Sequence, residues 1–268
     1  MVPLAIDAMG GDNAPQVVIE GVCDALERFS GIDKLLLVGD RPQIETALQN
    51  CRADHRSRIE IEHTDQIVAM DEPPAAAIRS KPKSSIALAV EAVKQGRAGG
   101  VISAGHTGAA VASTVLKLRT LPGIERPGIA TVFPSPSGCF LLLDAGANVD
   151  CKPRHLTQYA VMGEIYAREI LNIKKPRIGL INVGDEAGKG NDLSKAAYEE
   201  ISKLADLNFI GNIEGSALFR GTCDVVVCDG FVGNVILKSC ESLAGAFGHF
   251  LKKLLVKNPV RQMGAFLC

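Results

Sequence analysis

The sequence predicts an α/β fold, a mostly parallel sheet covered by helices on both faces. Two observations predict it. Short apolar runs recur along the chain, the clearest being "LAIDAM", "KLLLVGD", "RIEIEH", "GGVISAG", "GIATVF", "CFLLLDAG", "RIGLINVG", "LNFIGN" and "DVVVCDG". Between most of them lie amphipathic stretches of helical length, at 15–29, 84–96, 107–119, 153–171 and 191–205. Strands that alternate with helices are joined by crossovers, which makes neighbouring strands parallel and buries both sheet faces.

The first run, "PLAIDAMGGDNAP", reads as a buried strand. Gly10 and Gly11 let its end turn tightly into a helix that Asp12 or Asn13 caps. Residues 70–85, "MDEPPAAAIRSKPKSS", carry three prolines and read as a long exposed connector. Ser84 or Ser85 is placed to cap the next helix, and Arg79, Lys81 and Lys83 are placed to steer an acidic partner. Near the end, Ile236, Leu237, Cys240, Leu243, Ala244, Phe247, Leu251, Leu254 and Leu255 share one helical stripe, expected to be core or dimer interface. From Lys238 onward the one acid, Glu241, faces Lys238, Lys252, Lys253, Lys257 and Arg261, a local charge of +4. Residues 235–268 therefore read as an amphipathic basic helical segment suited to dimer packing, to an anionic membrane surface, or to both.

With 268 residues the chain is long enough to bury a sizeable core, and 1–268 reads as a single α/β domain. A net charge of −1 gives no global basic field, so nucleic acid is not the expected partner. No apolar run approaches the roughly 18 residues of a spanning helix, and residues 1–20 lack a signal-peptide pattern, so a cytoplasmic location is expected. The 8 cysteines form no C-x-x-C pair and are expected to be small buried thiols.

In open parallel sheets, ligands bind beyond the carboxyl ends of the strands. Six such ends repeat one chemistry: "DAMGGDN", "SAGHTGA", "DAGANVD", "NVGDEAGKGN", "GNIEGS" and "CDGFVGN". Glycines permit close backbone approach and helix N-termini offer amide donors, so a phosphate-sized anion is the expected ligand. The P-loop pattern is not met: Gly184 and Gly188 are one residue too close, and Gly190 stands where a hydroxyl belongs. The dinucleotide pattern G-x-G-x-x-G follows none of the runs. There is no G-x-S-x-G elbow, and His55, His63, His106, His155 and His249 lack H-E-x-x-H spacing, with only His106 in a strand-end turn. Many donors and few nucleophiles suit a reaction whose nucleophile is itself a bound ligand.

Taken together, "AIDAMGGDNAP", "SAGHTGA", "RPGIATV", "LLDAGANVDCKPRHL", "NVGDEAGKGN", "NFIGNIEG" and "DVVVCDGFVGNVILK" resemble the bacterial phosphate acyltransferase family, in order from residue 4 to about residue 240. The resemblance implies a three-layer αβα sandwich like that of isocitrate and isopropylmalate dehydrogenases, acting as a homodimer and peripherally on membranes. It implies attack of inorganic phosphate on the thioester of a fatty acyl-[acyl carrier protein], giving acyl phosphate for phospholipid synthesis without a metal or redox cofactor. Matched to the family motifs, Lys189 is the first choice for a charged contact to phosphate or to the developing oxyanion, and Asn234 the second, with helix N-cap as its plainer role. Asp7, Gly10, Gly11, His106, Thr107, Gly108, Asp144, Asn148, Asn182, Asn212, Asp229 and Gly230 form the implied surrounding shell, with Asp7 expected to orient donors rather than touch the anion.

Two departures stand out. Position 106 is His where the family motif has Asn. Family members also continue past "NPVRQMGAFLC", so a truncated form or a natural short variant is expected. Three competing readings remain open at this point: a short-chain phosphotransacylase using coenzyme A, a non-catalytic membrane scaffold, and, least supported, a metal-dependent hydroxyacid dehydrogenase.

Overall fold

The computed structural model describes residues 2–136 and 138–256. The sequence reads as one domain, whereas the chain divides into two compact units, Met1–Pro122 and Gly123–Cys268, each built on its own sheet. The physical reason is local: the first sheet is completed by four strands, and the second opens on a new antiparallel hairpin after a segment rich in Gly and Pro.

In the first unit, β1 (Leu4–Asp7), β2 (Leu35–Gly39), β3 (Ile59–His63) and β4 (Gly100–Ser103) form an all-parallel sheet in the order β3-β2-β1-β4. Alternate side chains feed two cores. Ile6, Leu35 and Leu37 meet Ile19, Val22 and Leu26 of α1 (Gln16–Arg28) and Ile44 of α2 (Arg41–Ala47). Ala5, Leu36 and Val38 face Ala89 and Ala92 of α5 (Ser85–Lys94) on the other side. A short α3 (Ala53–Arg56) precedes β3, and α6 (Thr107–Lys117) follows β4.

Several expectations change here. Neither Asp12 nor Asn13 caps α1 with its side chain; instead the Asn13 carbonyl accepts from Val17 N at 3.2 Å. The connector at 70–85 contains α4 (Pro74–Ser80), because Pro74 fits the first helical turn and the alanines after it favour helix. Ala77 and Ile78 are buried, and Lys81 is not free to steer a partner, since its Nζ donates to Ile67 O and Glu72. Ser84 sits at the N-cap of α5, but its buried hydroxyl has no partner. Finally, Cys23 and Cys51 form a disulfide between α1 and the segment after α2, while Cys139, Cys151, Cys223, Cys228 and Cys240 are free.

In the second unit the order is β5-β6-β9-β7-β8, from β5 (Ala130–Ser135), β6 (Gly138–Leu143), β7 (Ile178–Asn182), β8 (Phe209–Glu214) and β9 (Val225–Val227). All pairs except the β5–β6 hairpin are parallel. One face packs on α7 (Pro153–Glu169) and α8 (Asp192–Ser202) through Tyr159, Ala160, Ala197 and Ile201. The other packs on the start of α9 (Gly230–Leu255) through Val232, Ile236, Leu237 and Cys240. Beyond Cys240 every residue of α9 is exposed. Each unit is thus a sheet between helical layers, as expected.

Arg177 fixes the entry to β7: its guanidinium donates to both oxygens of Asp224 at 2.8 and 2.9 Å. Burial alone would raise the Asp224 carboxyl, but the hydrogen bonds from Arg177 outweigh it and hold it below its ordinary 3.8. A depressed carboxylate stabilises the fold above the unfolded value and loses that contribution as pH falls through the folded one. Arg177→Ala is therefore expected to cost about 1–2 kcal/mol in urea melts at pH 7, allowing for solvent screening, and clearly less at pH 3.

Candidate functional site

At the carboxyl ends of β1 and β4, Asp7 is buried and organises two turns. Its Oδ1 accepts from Met9 N at 3.3 Å, its Oδ2 accepts from Ser103 Oγ at 2.7 Å, and Ser103 Oγ in turn accepts from Gly105 N at 3.1 Å. Gly10 lies against Gly105, where an added Cβ would come within 2.7 Å of the Gly105 nitrogen. Gly11 has φ +103, a conformation that side chains rarely adopt. The space among Asp7, Gly10, Ser85 and His106 is about 10 Å³, enough for roughly one water. Asp7 thus holds the Met9 amide and the Ser103 hydroxyl in place.

His106 is the N-cap of α6, its Nδ1 accepting from Gly108 N at 3.1 Å. Nδ1 occupies the same place along the side chain as the Oδ1 of asparagine, which explains how His serves where the family motif has Asn. Thr107 is exposed on the first turn, and Gly108 packs on Pro74, whose Cγ would lie 2.6 Å from an added Cβ. His106→Asn is expected to keep the cap, leaving the melting free energy within about 0.5 kcal/mol, whereas His106→Ala costs about 1 kcal/mol. Paired chemical melts check both.

In the second unit, Asp144 is fully buried at the end of β6. Its Oδ1 accepts from the nitrogens of Ile129, Gly146 and Ala147 at 2.9, 3.1 and 2.9 Å. Its Oδ2 accepts from Asn148 N at 2.8 Å and Asn148 Nδ2 at 3.1 Å. Asn148 Nδ2 also lies 2.9 Å from the Tyr159 hydroxyl, whose ionisation burial pushes far up. A carboxylate so occupied holds a loop. Asp229 likewise caps α9, its Oδ1 accepting from Val232 N at 2.8 Å, so Asn234 lies inside the helix and not at its cap. Gly230 and Gly233 let that helix start against the loop: a Cβ at Gly230 would come within 2.6 Å of Asn148 O, and one at Gly233 would collide with Asp144 O. Asn234 is exposed and lies beside Gly146.

The turn after β7 is clipped at two points. Asn182 Nδ2 donates to Lys189 O at 3.0 Å, and Asn212 Nδ2 donates to Glu186 O at 2.8 Å. These bonds leave the Lys189 side chain half exposed, with Nζ 3.9 Å from Glu186 Oε1. A pocket of about 370 Å³ opens beside this turn, between Asn182 and Asp229 at the strand ends and Leu156, Leu180, Leu193 and Val232.

The six first-unit residues expected in the site, Asp7, Gly10, Gly11, His106, Thr107 and Gly108, gather at one pair of strand ends. The second unit collects Asp144, Asn148, Asp229, Gly230 and Asn234 around β6 and β9, and Asn182, Lys189 and Asn212 around the turn after β7. Sequence reasoning missed Ser103, Tyr159 and Asn191, which lines the pocket and caps α8, its Oδ1 accepting from Ser194 N at 2.9 Å. Ser103 and Asn191 lie inside the quoted motifs "SAGHTGA" and "NVGDEAGKGN". Tyr159 was hidden in the middle of a helix.

A family model described as fatty acid synthesis protein matches residues 2–268. The chain belongs to this family. A member from Desulfitobacterium hafniense (strain Y51), a phosphate acyltransferase, is 47% identical over 266 residues, covering 99% of this chain and 78% of its own length. Another phosphate acyltransferase, from Desulforamulus reducens, is 48% identical over 95% of this chain and 75% of its own length. The chain therefore spans about three quarters of these relatives. Among solved structures, the EutD phosphotransacetylase from Staphylococcus aureus aligns with TM-score 0.63 at 16% identity, over 91% of this chain and 82% of that one. A branched-chain phosphotransacylase from Enterococcus faecalis V583 aligns with TM-score 0.56 at 16% identity, over 88% and 83%. At such identity the likeness establishes the α/β sandwich fold.

Proposed function

We propose that this protein transfers a fatty acyl group from the thioester of an acyl carrier protein to inorganic phosphate, giving acyl phosphate for phospholipid synthesis. The observation that carries the reading is near-half identity, over almost the whole chain, to relatives named phosphate acyltransferase. The site chemistry supports it. A phosphate oxygen attacks the carbonyl carbon, a C–O bond forms, the C–S bond breaks, and the carrier thiolate leaves and takes a proton. Phosphate is nucleophilic near neutral pH, so the protein's work is positioning and stabilisation of the tetrahedral oxyanion.

In this reading the Lys189 ammonium meets phosphate or the oxyanion, and the Asn234 amide donates a hydrogen bond. Each within its own unit, buried Asp7 and Asp144 and half-buried Asp229 keep the nearby backbone in place by accepting hydrogen bonds from it. Gly10, Gly11, Gly108 and Gly230 allow the close packing that this requires, and Asn148, Asn182 and Asn212 tie the loops.

The exposed end of α9 serves the homodimer and the membrane. Leu243, Phe247, Phe250, Leu251 and Leu254 are each about half exposed or more, beside Lys252 and Lys253. Lys257, Arg261 and the "MGAFLC" ending lie outside the described residues. No helix among the described residues is long and apolar enough to cross a membrane, so contact would be peripheral. Flotation with anionic liposomes is expected to recover the protein, and Phe247→Glu with Phe250→Glu to abolish recovery; failure of the unmodified protein to float removes the membrane claim.

The reading is tested by comparing palmitoyl-carrier with acetyl-coenzyme A as donors. Higher kcat/KM with the carrier is expected. The reverse would favour a short-chain phosphotransacylase, and no thiol release from either donor would favour a scaffold.

A further inference from the structure

We infer that the pocket beside the turn after β7 holds the hydrocarbon chain of the acyl donor, with the thioester carbonyl at its polar mouth; this rests on the acyl-transfer reading above. The pocket has a graded wall. Its floor is Leu156, Leu180 and Cys228, exposed by only 2, 1 and 1%. Its sides are Leu193 and Val232, from the first turns of α8 and α9. Its volume of about 370 Å³ falls within the roughly 300–1,000 Å³ typical of small-molecule sites.

Several polar groups at the mouth are engaged within the fold. Asn182 bridges Val183 N and Lys189 O, Ser194 Oγ donates to Asn191 O, and Asp229, the one charged lining residue, caps α9. A free phosphate would leave its charge against an apolar floor with few donors, at a large desolvation cost. An alkyl chain asks for no hydrogen bonds and gains from every methylene buried. The same turn that forms the mouth carries Lys189, so a chain seated here brings its carbonyl toward the proposed oxyanion contact.

The test is a chain-length profile. Leu193→Trp takes up the space of roughly two methylenes, each worth about fourfold. Its kcat/KM is expected to fall at least tenfold with palmitoyl-carrier and to stay within about threefold with octanoyl-carrier. Val232→Phe supplies a second variant should the first not fold. A profile like the unmodified protein's, or equal loss at every length, overturns the inference and leaves acyl transfer standing. Should the unmodified protein show no transfer at all, binding of the fluorescent fatty acid cis-parinaric acid decides. Saturable binding weakened about tenfold by Leu193→Trp supports the pocket, and absent or unaffected binding overturns it. A variant that alters self-association while the profile stays fixed also overturns it, showing the pocket to be covered by a second copy.

Discussion

Asp144→Ala is expected to lower the unfolding free energy by about 3–5 kcal/mol and to abolish acyl transfer with it. The carboxylate is completely buried and accepts from four backbone nitrogens and one side-chain amide. Each buried donor left without a partner costs about 1–3 kcal/mol, partly recovered where water enters the vacated space. Asp144→Asn recovers only part of the loss: Oδ1 still accepts, but an amide NH2 would then face the Asn148 nitrogen. Urea melts at unchanged m-value provide the measurement. A loss under about 1 kcal/mol for the alanine variant would show that the loop holds its shape without the carboxylate.

Lys189→Ala is expected to behave in the opposite way. Its side chain is half exposed, and the turn around it is held by the side-chain amides of Asn182 and Asn212, which donate to Lys189 O and Glu186 O. Stability should stay within about 0.5 kcal/mol, as for other surface changes. In the role proposed for it at the developing oxyanion, loss of the Lys189 charge should lower kcat by about 10²–10³, with partial rescue by Lys189→Arg. A kcat within threefold of the unmodified protein would remove Lys189 from the chemistry. Together the two variants separate a residue that builds the site from one that acts in it.

Much of the fold was legible because both faces of each sheet are buried, which leaves the strands as short continuous apolar runs. Each of the nine quoted runs overlaps a strand in the structure. The helices α2, α3 and α4 were not legible, being too short for a period to show, and in α4 the Pro73-Pro74 pair looks like a loop when it starts a helix. Division into two units was hidden because strand runs recur at similar spacing across the boundary. Pairing of Cys23 with Cys51 depends on how α1 packs, which spacing alone does not reveal.

The site was legible as a set of turns, less so as a set of roles. "DAMGGDN", "DAGANVD" and "CDGFVGN" each contain an acid beside glycines, a pattern that suggests ligand contact. In the structure these acids bind the protein's own backbone or hydroxyls, and in each of the three turns a glycine makes room for another segment or takes a backbone shape closed to side chains. The apolar pocket is built from Leu156, Leu180, Leu193 and Val232, which lie on four separate elements, so no motif marks it.

Acyl phosphate can be trapped directly. Palmitoyl-carrier, radiolabelled inorganic phosphate and the protein are mixed, and labelled palmitoyl phosphate recovered by solvent extraction is counted against free carrier thiol. Acyl transfer to phosphate predicts one labelled palmitoyl phosphate for each thiol released, strict dependence on phosphate, and loss of both signals in Lys189→Ala. Thiol released without phosphate, with free palmitate as the product, would contradict it and mark a thioesterase instead.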